Sequence, residues 1–269
     1  MPAPIGEPVM ELRDVEVVFK TRTGSLFRPE KVTAVGGVSL SVARDETIGI
    51  VGESGSGKST LARVMVGLQE PTGGQVLFHG EPLGKGATAR KRFGRAVSVV
   101  FQDPATALNP RMIVSDILTD PLRVHGIGNR AAQVARMHEL LELVGLPRSA
   151  ANVLPRQISG GQRQRVATAR ALALGPDVVV ADEPTSALDV SVRAQVLNLL
   201  ADLRERLGLG MVFISHDINT VRHVSDRIAV MNRGVVVETG PTEQLFTSPH
   251  DPYTRTLLGA APTLLKETP

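Results

Sequence analysis

A glycine-rich loop in the first quarter of the chain carries the residues best suited to chemistry. It reads Gly52-Glu-Ser-Gly-Ser-Gly-Lys-Ser59, followed by Thr60, between an apolar run at 47–51 and a helical pattern at 61–68. A strand, a glycine loop and a helix in this order predict a phosphate-binding loop. Lys58 is expected to reach the β- and γ-phosphates of a triphosphate, and the Ser59 hydroxyl to ligate Mg²⁺. The predicted phosphate contacts are Gly52, Glu53, Ser54, Gly55, Ser56, Gly57, Lys58, Ser59 and Thr60.

An acidic pair follows a second apolar run. Asp182 and Glu183 come directly after Val178-Val-Val-Ala181, which predicts a buried strand. At the carboxyl edge of a parallel sheet, Asp182 would hold Mg²⁺ and Glu183 would orient or deprotonate an attacking water. The alternative is an acidic strand end that faces solvent, and the phosphate loop upstream disfavours it.

Three further sites have weaker individual signals. The turn Ser159-Gly-Gly-Gln162 opens a predicted helix, with Ser159 as its N-cap, and predicts a second anion-binding helix start. Since one nucleotide does not need two such cradles from one chain, two chains could supply them to each other. Gln102 and His216 each follow a predicted strand, where Gln102 could reach Mg²⁺ or water and His216 the γ-phosphate. For either residue alone, a plain polar strand terminus is the preferred interpretation.

Composition restricts the class of protein. The chain has 269 residues, of which 42% are hydrophobic, enough for one large α/β domain or two small ones. A net charge of +3 and 3% aromatic residues do not predict nucleic-acid binding. There is no Cys, so disulfides and thiolate metal sites are excluded. We expect no signal peptide, because the N-terminus has no basic n-region and no long apolar h-region, and no membrane span, because no apolar run reaches the ~18 residues required.

The elements that must position these residues are predicted from hydrophobic periodicity. Residues 1–8 are proline-rich and predict a flexible N-terminus. The order of strands and helices predicts a mainly parallel sheet preceded by an antiparallel layer, with a helical insert. Predicted strands are 9–20, 32–42 (broken at Gly36-Gly37), 74–79, 96–101, 178–181, 211–214, 227–231 and 235–238, with a charged loop at 21–31 and a polar loop between 79 and 96. Predicted helices are 114–124, 130–144 (inward face Val134, Met137, Leu140, Leu141 and Val144), 160–174, 190–207 and 218–224.

Taken together, these motifs resemble the ATP-binding cassette (ABC) ATPases. Residues 52–59 match the Walker A loop, Gln102 the Q-loop and 158–162 the signature motif, with Ile158 in place of the usual Leu. Asp182-Glu183 match Walker B and the catalytic glutamate, 186–189 the D-loop and His216 the switch histidine. The resemblance implies an α/β fold, with a RecA-like P-loop core, an antiparallel β subdomain and a helical subdomain at about 103–174. It also places Phe19 where the family stacks an aromatic residue, usually Tyr, on adenine.

A narrower resemblance is to the dipeptide, oligopeptide and nickel importer branch. It is carried by 51–60, by Phe101-Gln-Asp-Pro104 with Leu108-Asn-Pro110, and above all by Ser248-Pro-His-Asp-Pro-Tyr-Thr-Arg255. This implies an ATPase domain at 9–247 and a C-terminal extension at 248–269. Several relatives have a cysteine-rich tail with an iron–sulfur cluster, and we expect none here because the chain lacks Cys.

The resemblance implies an ATP-hydrolysing subunit that powers import of a small solute, with di- or oligopeptides expected first and nickel or another solute as alternatives. Implied cofactors are ATP and Mg²⁺, the latter held by Ser59, Gln102 and Asp182. Implied partners are a second cassette, identical or homologous, two transmembrane permease subunits and, indirectly, an external solute-binding protein. The expected location is the cytoplasmic face of the plasma membrane.

A soluble cassette of DNA repair or translation is a different class of protein. The short Gln102–Ser159 spacing disfavours a repair cassette, and the presence of one set of motifs in the chain disfavours a translation cassette. A non-hydrolysing regulator would lack Glu183.

Overall fold

The computed structural model describes residues 6–21, 30–84, 86–103 and 107–260. Most of the predicted N-terminal tail and of the charged loop at 21–31 lies outside these residues, as do 104–106 and 261–269. The chain divides into two compact units. Unit 1 comprises residues 1–82 and 212–269, and unit 2 comprises residues 83–211.

Unit 1 contains an antiparallel sheet and a parallel strand pair. Its strands are β1 (Pro8–Thr21), β2 (Glu30–Ala43), β3 (Thr47–Val51), β4 (Gly73–Phe78), β5 (Glu81–Pro82), β9 (Arg227–Asn232) and β10 (Val235–Pro241). The antiparallel sheet has the order β2-β1-β4-β5, and β3 pairs in parallel with β9, whose other neighbour is the antiparallel β10. The predicted antiparallel layer and parallel pairing are therefore confirmed in this unit. Its helices are α1 (Lys58–Met65), α7 (Ile218–Val224), α8 (Thr242–Thr247) and α9 (Pro252–Ala260).

The glycine pair at 36–37 does not break its strand, so the predicted break is wrong. β2 runs through both residues, and its partners on β1 shift so that Val15 faces Val38 while Glu16 faces Gly36. Gly37 is thus the extra residue of a β-bulge, which bends the strand while the hydrogen-bonded ladder continues on either side.

Unit 2 is built mainly from helices around one apolar core. Strands β6 (Val97–Val100) and β7 (Val178–Asp182) pair in parallel. The helices are α2 (Ala87–Ala96), α3 (Val114–His125), α4 (Arg130–Leu143), α5 (Gly160–Ala171) and α6 (Val190–Leu207). Strand β8 (Gly210–Ser215) begins at the end of this unit and continues into unit 1.

Two sequence predictions in unit 2 are corrected. The polar stretch before β6, predicted as a loop, forms α2, in which Phe93 is the buried residue. The ten residues of α2 include four basic residues and one glycine but only one large apolar residue, Phe93. A single large apolar residue is too weak a periodic signal to predict a helix. Val134 was assigned to the inward face of α4 but is 41% exposed, whereas Met137, Leu140, Leu141 and Val144 are buried as predicted. Val134 lies near the start of α4, one turn before the helix enters the core.

A buried ion pair joins the two sheets of unit 1. Arg227 Nη1 lies 3.0 Å from Glu46 Oε1, and their side chains are 5% and 0% exposed. The second Glu46 oxygen accepts from the Ala43 N–H at 2.9 Å, and Arg227 Nη2 donates to the Ser41 carbonyl at 2.6 Å. The network thereby connects the end of β2, the turn before β3 and the start of β9. Burial without such partners would be very costly for either charge.

Replacing Glu46 by Gln should leave the Arg227 charge buried without its counter-ion. We expect the free energy of unfolding to fall by about 3–5 kcal/mol, the usual cost of breaking a buried pair from one side. Urea denaturation followed by circular dichroism measures it. The matched control is Glu11→Gln, which breaks the exposed Arg13–Glu11 pair and should cost no more than about 1 kcal/mol. Equal losses in the two variants would contradict a structural role for the buried network.

No helix within the described ranges combines the length and apolar character that a bilayer span requires.

Candidate nucleotide-binding site

The phosphate loop in unit 1 is shaped by the strand before it and the helix after it. β3 is buried along its whole length, and α1 begins at Lys58. Gly57 has φ 103°, and a Cβ there would lie 2.3 Å from the Ala34 carbonyl oxygen. A Cβ at Gly52 would lie 2.1 Å from the Met231 carbonyl oxygen. Only glycine fits at these two positions, since each backbone passes directly against another strand.

Lys58 is the charged centre of this loop. Its side chain is 5% exposed, and Nζ donates to the carbonyls of Gly52 at 2.7 Å and Glu53 at 2.8 Å. A third contact, to Ser56 Oγ, is longer at 3.4 Å. An ammonium group has three donors, so the two short bonds aim the group and the long one is the contact that a phosphate oxygen would most readily replace.

These residues fit a bound phosphate. The first turn of α1 has no side-chain cap on its N–H groups, so those donors and the positive end of the helix dipole suit an anion. Ser54, Gly55 and Ser59 are exposed around them. A buried ammonium group beside exposed glycine and serine positions is a donor set for a polyphosphate.

Two other predicted contacts also lie in unit 1. Phe19 on β1 is 40% exposed and faces Val32 on β2, which is 46% exposed, so the two form an apolar surface patch. An adenine ring could stack on such a patch. His216 follows the last residue of β8, and its side chain is exposed.

In unit 2 the structure brings Gln102 and Glu183 together. β6 and β7 are parallel neighbours, with Val100 opposite Ala181, so the residues after both strands emerge at one edge. Gln102 Nε2 donates to Glu183 Oε2 at 3.2 Å. Asp182 is the last residue of β7 and directly precedes Glu183 in the sequence, and it is half-buried. Two predicted catalytic groups are therefore in direct contact.

Glu183 has a strained backbone. Its φ is 47°, in the left-handed region that residues other than glycine rarely adopt. Its carbonyl accepts from the Ser186 N–H at 3.3 Å and the Ser186 hydroxyl at 3.1 Å. Such strain costs about 1–3 kcal/mol and is typical of functional sites. The turn therefore fixes the direction in which the carboxylate leaves the strand.

The signature turn forms the capped helix start that the sequence predicts. Ser159 Oγ accepts from the Gln162 N–H at 3.2 Å, and Gln162 Oε1 accepts from the Ser159 N–H at 2.9 Å. This reciprocal capping box confirms Ser159 as the N-cap of α5. A Cβ on Gly161 would lie 2.5 Å from Val192 Cγ1, whereas Gly160 has ordinary spacing to Leu188. The turn thus packs closely against the segment that follows Glu183.

Sequence reasoning did not assign a role to Tyr253. Its hydroxyl accepts a hydrogen bond of 3.0 Å from the Glu53 N–H in the phosphate loop. The signal available was that Tyr253, the single tyrosine of the chain, lies in the 248–255 segment that distinguished the narrower resemblance. Neither periodicity nor spacing predicts a contact between residues 200 positions apart.

The α/β fold and the phosphate loop define a P-loop nucleotide-binding protein. Residues 35–186 match the model of the ABC transporter family, and residues 237–269 match the oligopeptide/dipeptide transporter C-terminal region. The chain belongs to the ABC transporter family. It is an ATP hydrolase of the ABC type, as the motif resemblance predicted.

Relatives extend over nearly the whole chain. The oligopeptide transport ATP-binding protein OppF of Bacillus subtilis is 45% identical over 260 residues, covering 95% of this chain and 83% of that protein. The oligopeptide transport ATP-binding protein AppF of the same organism is 45% identical over 263 residues, covering 97% and 80%.

Solved structures confirm the fold. A dimeric post-hydrolysis state of the ATP-binding cassette MJ0796 bound to ADP and Pi has a TM-score of 0.76 at 32% identity, covering 87% of this chain and 98% of that one. For cbiO1 of Clostridium perfringens, part of the ABC transporter complex cbiONQ, the TM-score is 0.78 at 25% identity, covering 90% and 92%. The predicted cassette fold class is thus confirmed.

Proposed function

We propose that this chain binds and hydrolyses ATP to power the import of di- or oligopeptides through a membrane transporter. The observation that carries the proposal is the combined similarity of the whole chain to oligopeptide transport ATP-binding proteins and of residues 237–269 to an oligopeptide/dipeptide transporter region. This favours peptides over nickel. We retain 9–247 as the ATPase domain, its helical subdomain at about 103–174, and 248–269 as the extension.

The cargo test is to purify the membrane complex through this subunit and identify the binding protein that accompanies it. The complex is then reconstituted with that protein. We expect ATP turnover to rise when a mixture of short peptides is added and to stay constant when nickel salts are added. Stimulation by nickel alone would contradict the peptide assignment and leave the ATPase assignment intact.

For the nucleotide, we propose that Phe19 stacks on adenine and that residues 52–60 hold the phosphates, with Lys58 on the β- and γ-phosphates. Ser59, Gln102 and Asp182 supply the oxygen ligands that Mg²⁺ prefers. Bound Mg²⁺ neutralises phosphate charge during transfer.

For hydrolysis, we propose that Glu183 accepts a hydrogen bond from the attacking water and polarises it. The bond from Gln102 Nε2 supports this role, since it holds the carboxylate in one orientation. Gln102 also reaches Mg²⁺ or the water through its amide oxygen, and His216 contacts the γ-phosphate. The strained φ of Glu183 gives the carboxylate a fixed direction before substrate binds.

A second cassette chain, identical or homologous, is the proposed partner at the nucleotide. Ser159, Gly160, Gly161 and Gln162 would act on the ATP held by the opposite chain, and the dimeric state of the MJ0796 cassette supports this arrangement. The capping box leaves the Ser159 side chain exposed, so its hydroxyl is accessible to such a ligand.

A negative charge introduced at position 159 tests whether Ser159 acts on the ATP of the opposite chain, and it can be introduced without losing the N-cap of α5. Asp and Asn both cap helices as well as Ser, but only Asp adds a negative charge opposite the γ-phosphate. We expect Ser159→Asp to lower ATP turnover at least tenfold, since the repulsion acts in a site of low dielectric, and to leave ATP binding by the isolated chain unchanged. Ser159→Asn is the matched control and should affect turnover much less. Loss of binding by the isolated Asp variant would place Ser159 at its own chain's nucleotide.

Two permease subunits are the proposed membrane partners, which would place the chain at the cytoplasmic face of the plasma membrane. An external solute-binding protein would act indirectly.

A groove of about 280 Å³ in unit 2 is a suitable docking place for a permease, lined by Arg95, Asp120, Val124, His125 and Arg170 among others. Val124 is 65% exposed. Burial, with the charges of Lys91 and Arg95, lowers the pKa of His125 and so favours the neutral imidazole. The groove suits a permease segment with an apolar side chain and a carboxylate for Arg95.

A further inference from the structure

The C-terminal helix of unit 1 touches the phosphate loop through one hydroxyl group. Tyr253 is the second residue of α9, and its Oη accepts from the Glu53 N–H at 3.0 Å. Glu53 is exposed, so water could satisfy its N–H equally well. The hydrogen bond therefore contributes little by satisfying a donor, and its main physical effect is to fix where the Glu53 peptide lies.

The Glu53 peptide in turn determines the direction of Lys58. The Glu53 carbonyl accepts from Lys58 Nζ at 2.8 Å and from the Ser56 N–H at 3.2 Å. The Glu53 N–H that contacts Tyr253 belongs to the Gly52–Glu53 peptide group, whose carbonyl also accepts from Lys58 Nζ at 2.7 Å, and the Glu53 carbonyl belongs to the next peptide group. A shift of Glu53 would move one of the two short bonds that aim the ammonium group, and with it the charge available to a phosphate.

Tyr253 is itself held by a well-determined turn. Its N–H donates to Asp251 Oδ1 at 2.8 Å, which caps α9. The two carboxylate oxygens of Glu238 accept from the N–H groups of His250 at 2.8 Å and Asp251 at 3.1 Å. Burial opposes ionisation of Glu238, but these hydrogen bonds outweigh it and lower its pKa. Arg255 adds bonds to the carbonyls of Pro249 and His250. The ring therefore projects from a rigid support.

We propose that Tyr253 is a positioning residue of the phosphate loop, which fixes the Glu53 peptide and thereby the direction of Lys58. The inference rests on the proposed role of Lys58 in binding ATP. The segment 248–255 would then serve to order the phosphate loop of its own chain, although it lies outside the proposed ATPase domain.

The first test is Tyr253→Phe in the full-length chain and in the assembled transporter. Phe keeps the ring and removes the hydroxyl. We expect the Kd for Mg-ATP to rise about two- to tenfold, the effect of losing one hydrogen bond. In the transporter the KM for ATP should rise by a similar factor with kcat within about twofold, because the bond acts on ground state and transition state alike. The control is Thr256→Ala, an exposed change on the same helix, which should alter neither constant.

The second test needs no substitution. Because the chain has one Tyr, meta-fluorotyrosine labels position 253 alone and gives a single fluorine NMR resonance, which we expect to move when Mg-ATP saturates the loop. An unchanged resonance together with an unchanged Kd in Tyr253→Phe would overturn the inference while ATP binding stands. If Tyr253→Phe lowered both kcat and the melting temperature while the KM for ATP stayed constant, the inference would also be overturned, in favour of a purely structural role. A wild-type chain that does not bind ATP would overturn the proposed function and this inference with it.

Discussion

Replacing Glu183 by Gln is expected to lower ATP turnover by a factor on the order of 10²–10⁴, the usual contribution of a general base. Gln keeps the size of the side chain and its amide oxygen can still accept from Gln102, which lies 3.2 Å away. What is lost is the negative charge that we propose polarises the attacking water. Binding of Mg-ATP should survive, because the phosphate loop and Asp182 are unchanged. Steady-state turnover and equilibrium ATP binding measure the two quantities separately.

The same variant should reveal the partner chain. With hydrolysis blocked, an ATP-bound dimer should accumulate and be detected by gel filtration with and without Mg-ATP. Glu205→Gln is the matched control, since Glu205 is an exposed glutamate on α6 and its loss removes the same charge away from the proposed site. Wild-type turnover in the Glu183 variant would mean that the water is activated elsewhere, with His216 the next candidate. A fall in turnover without a dimer would indicate a different partner chain or a need for the permease subunits.

The strands and the loop of the site could be predicted because their signals are local. β3 and β7 are apolar runs that end at glycine or acidic residues, and α1 follows the loop as predicted, although it spans Lys58–Met65 and not 61–68. Ser159 could be assigned as an N-cap from its residue type and the two glycines that follow. Such features depend on residues within a few positions of one another, so the chain sequence contains them directly.

The features that escaped prediction depend on residues far apart in sequence. The pair Gly36-Gly37 was interpreted as a strand break, although β1 supplies a partner on either side of Gly37 and the strand continues as a bulge. The Glu46–Arg227 pair and the Tyr253–Glu53 bond each join segments that no periodicity relates. The strain at Glu183 was also hidden, because its φ reflects the turn stabilised by Ser186 and not a property of the glutamate itself.

Lys58→Ala should have the other large effect on the reaction. In the proposed site the ammonium group neutralises the β- and γ-phosphates, and its two carbonyl bonds also hold the loop in shape. We expect ATP affinity, turnover or both to fall by a factor of at least ~10–100. The reason is that a preorganised charge at a developing anion is worth several kcal/mol. Isothermal titration with Mg-ATP and steady-state turnover of the assembled transporter measure the two losses.

The control for this variant is Arg63→Ala, which removes one positive charge from the exposed side of the same helix. If general electrostatic attraction drew ATP to the chain, the two variants would lose affinity to a similar extent and added salt would weaken wild-type binding steeply. If Lys58 acts through its position, only its own replacement should matter, because Arg63 is exposed in the last turn of α1 and its charge is screened by solvent. Near wild-type activity in the Lys58 variant would contradict the assignment of residues 52–60 as the phosphate site.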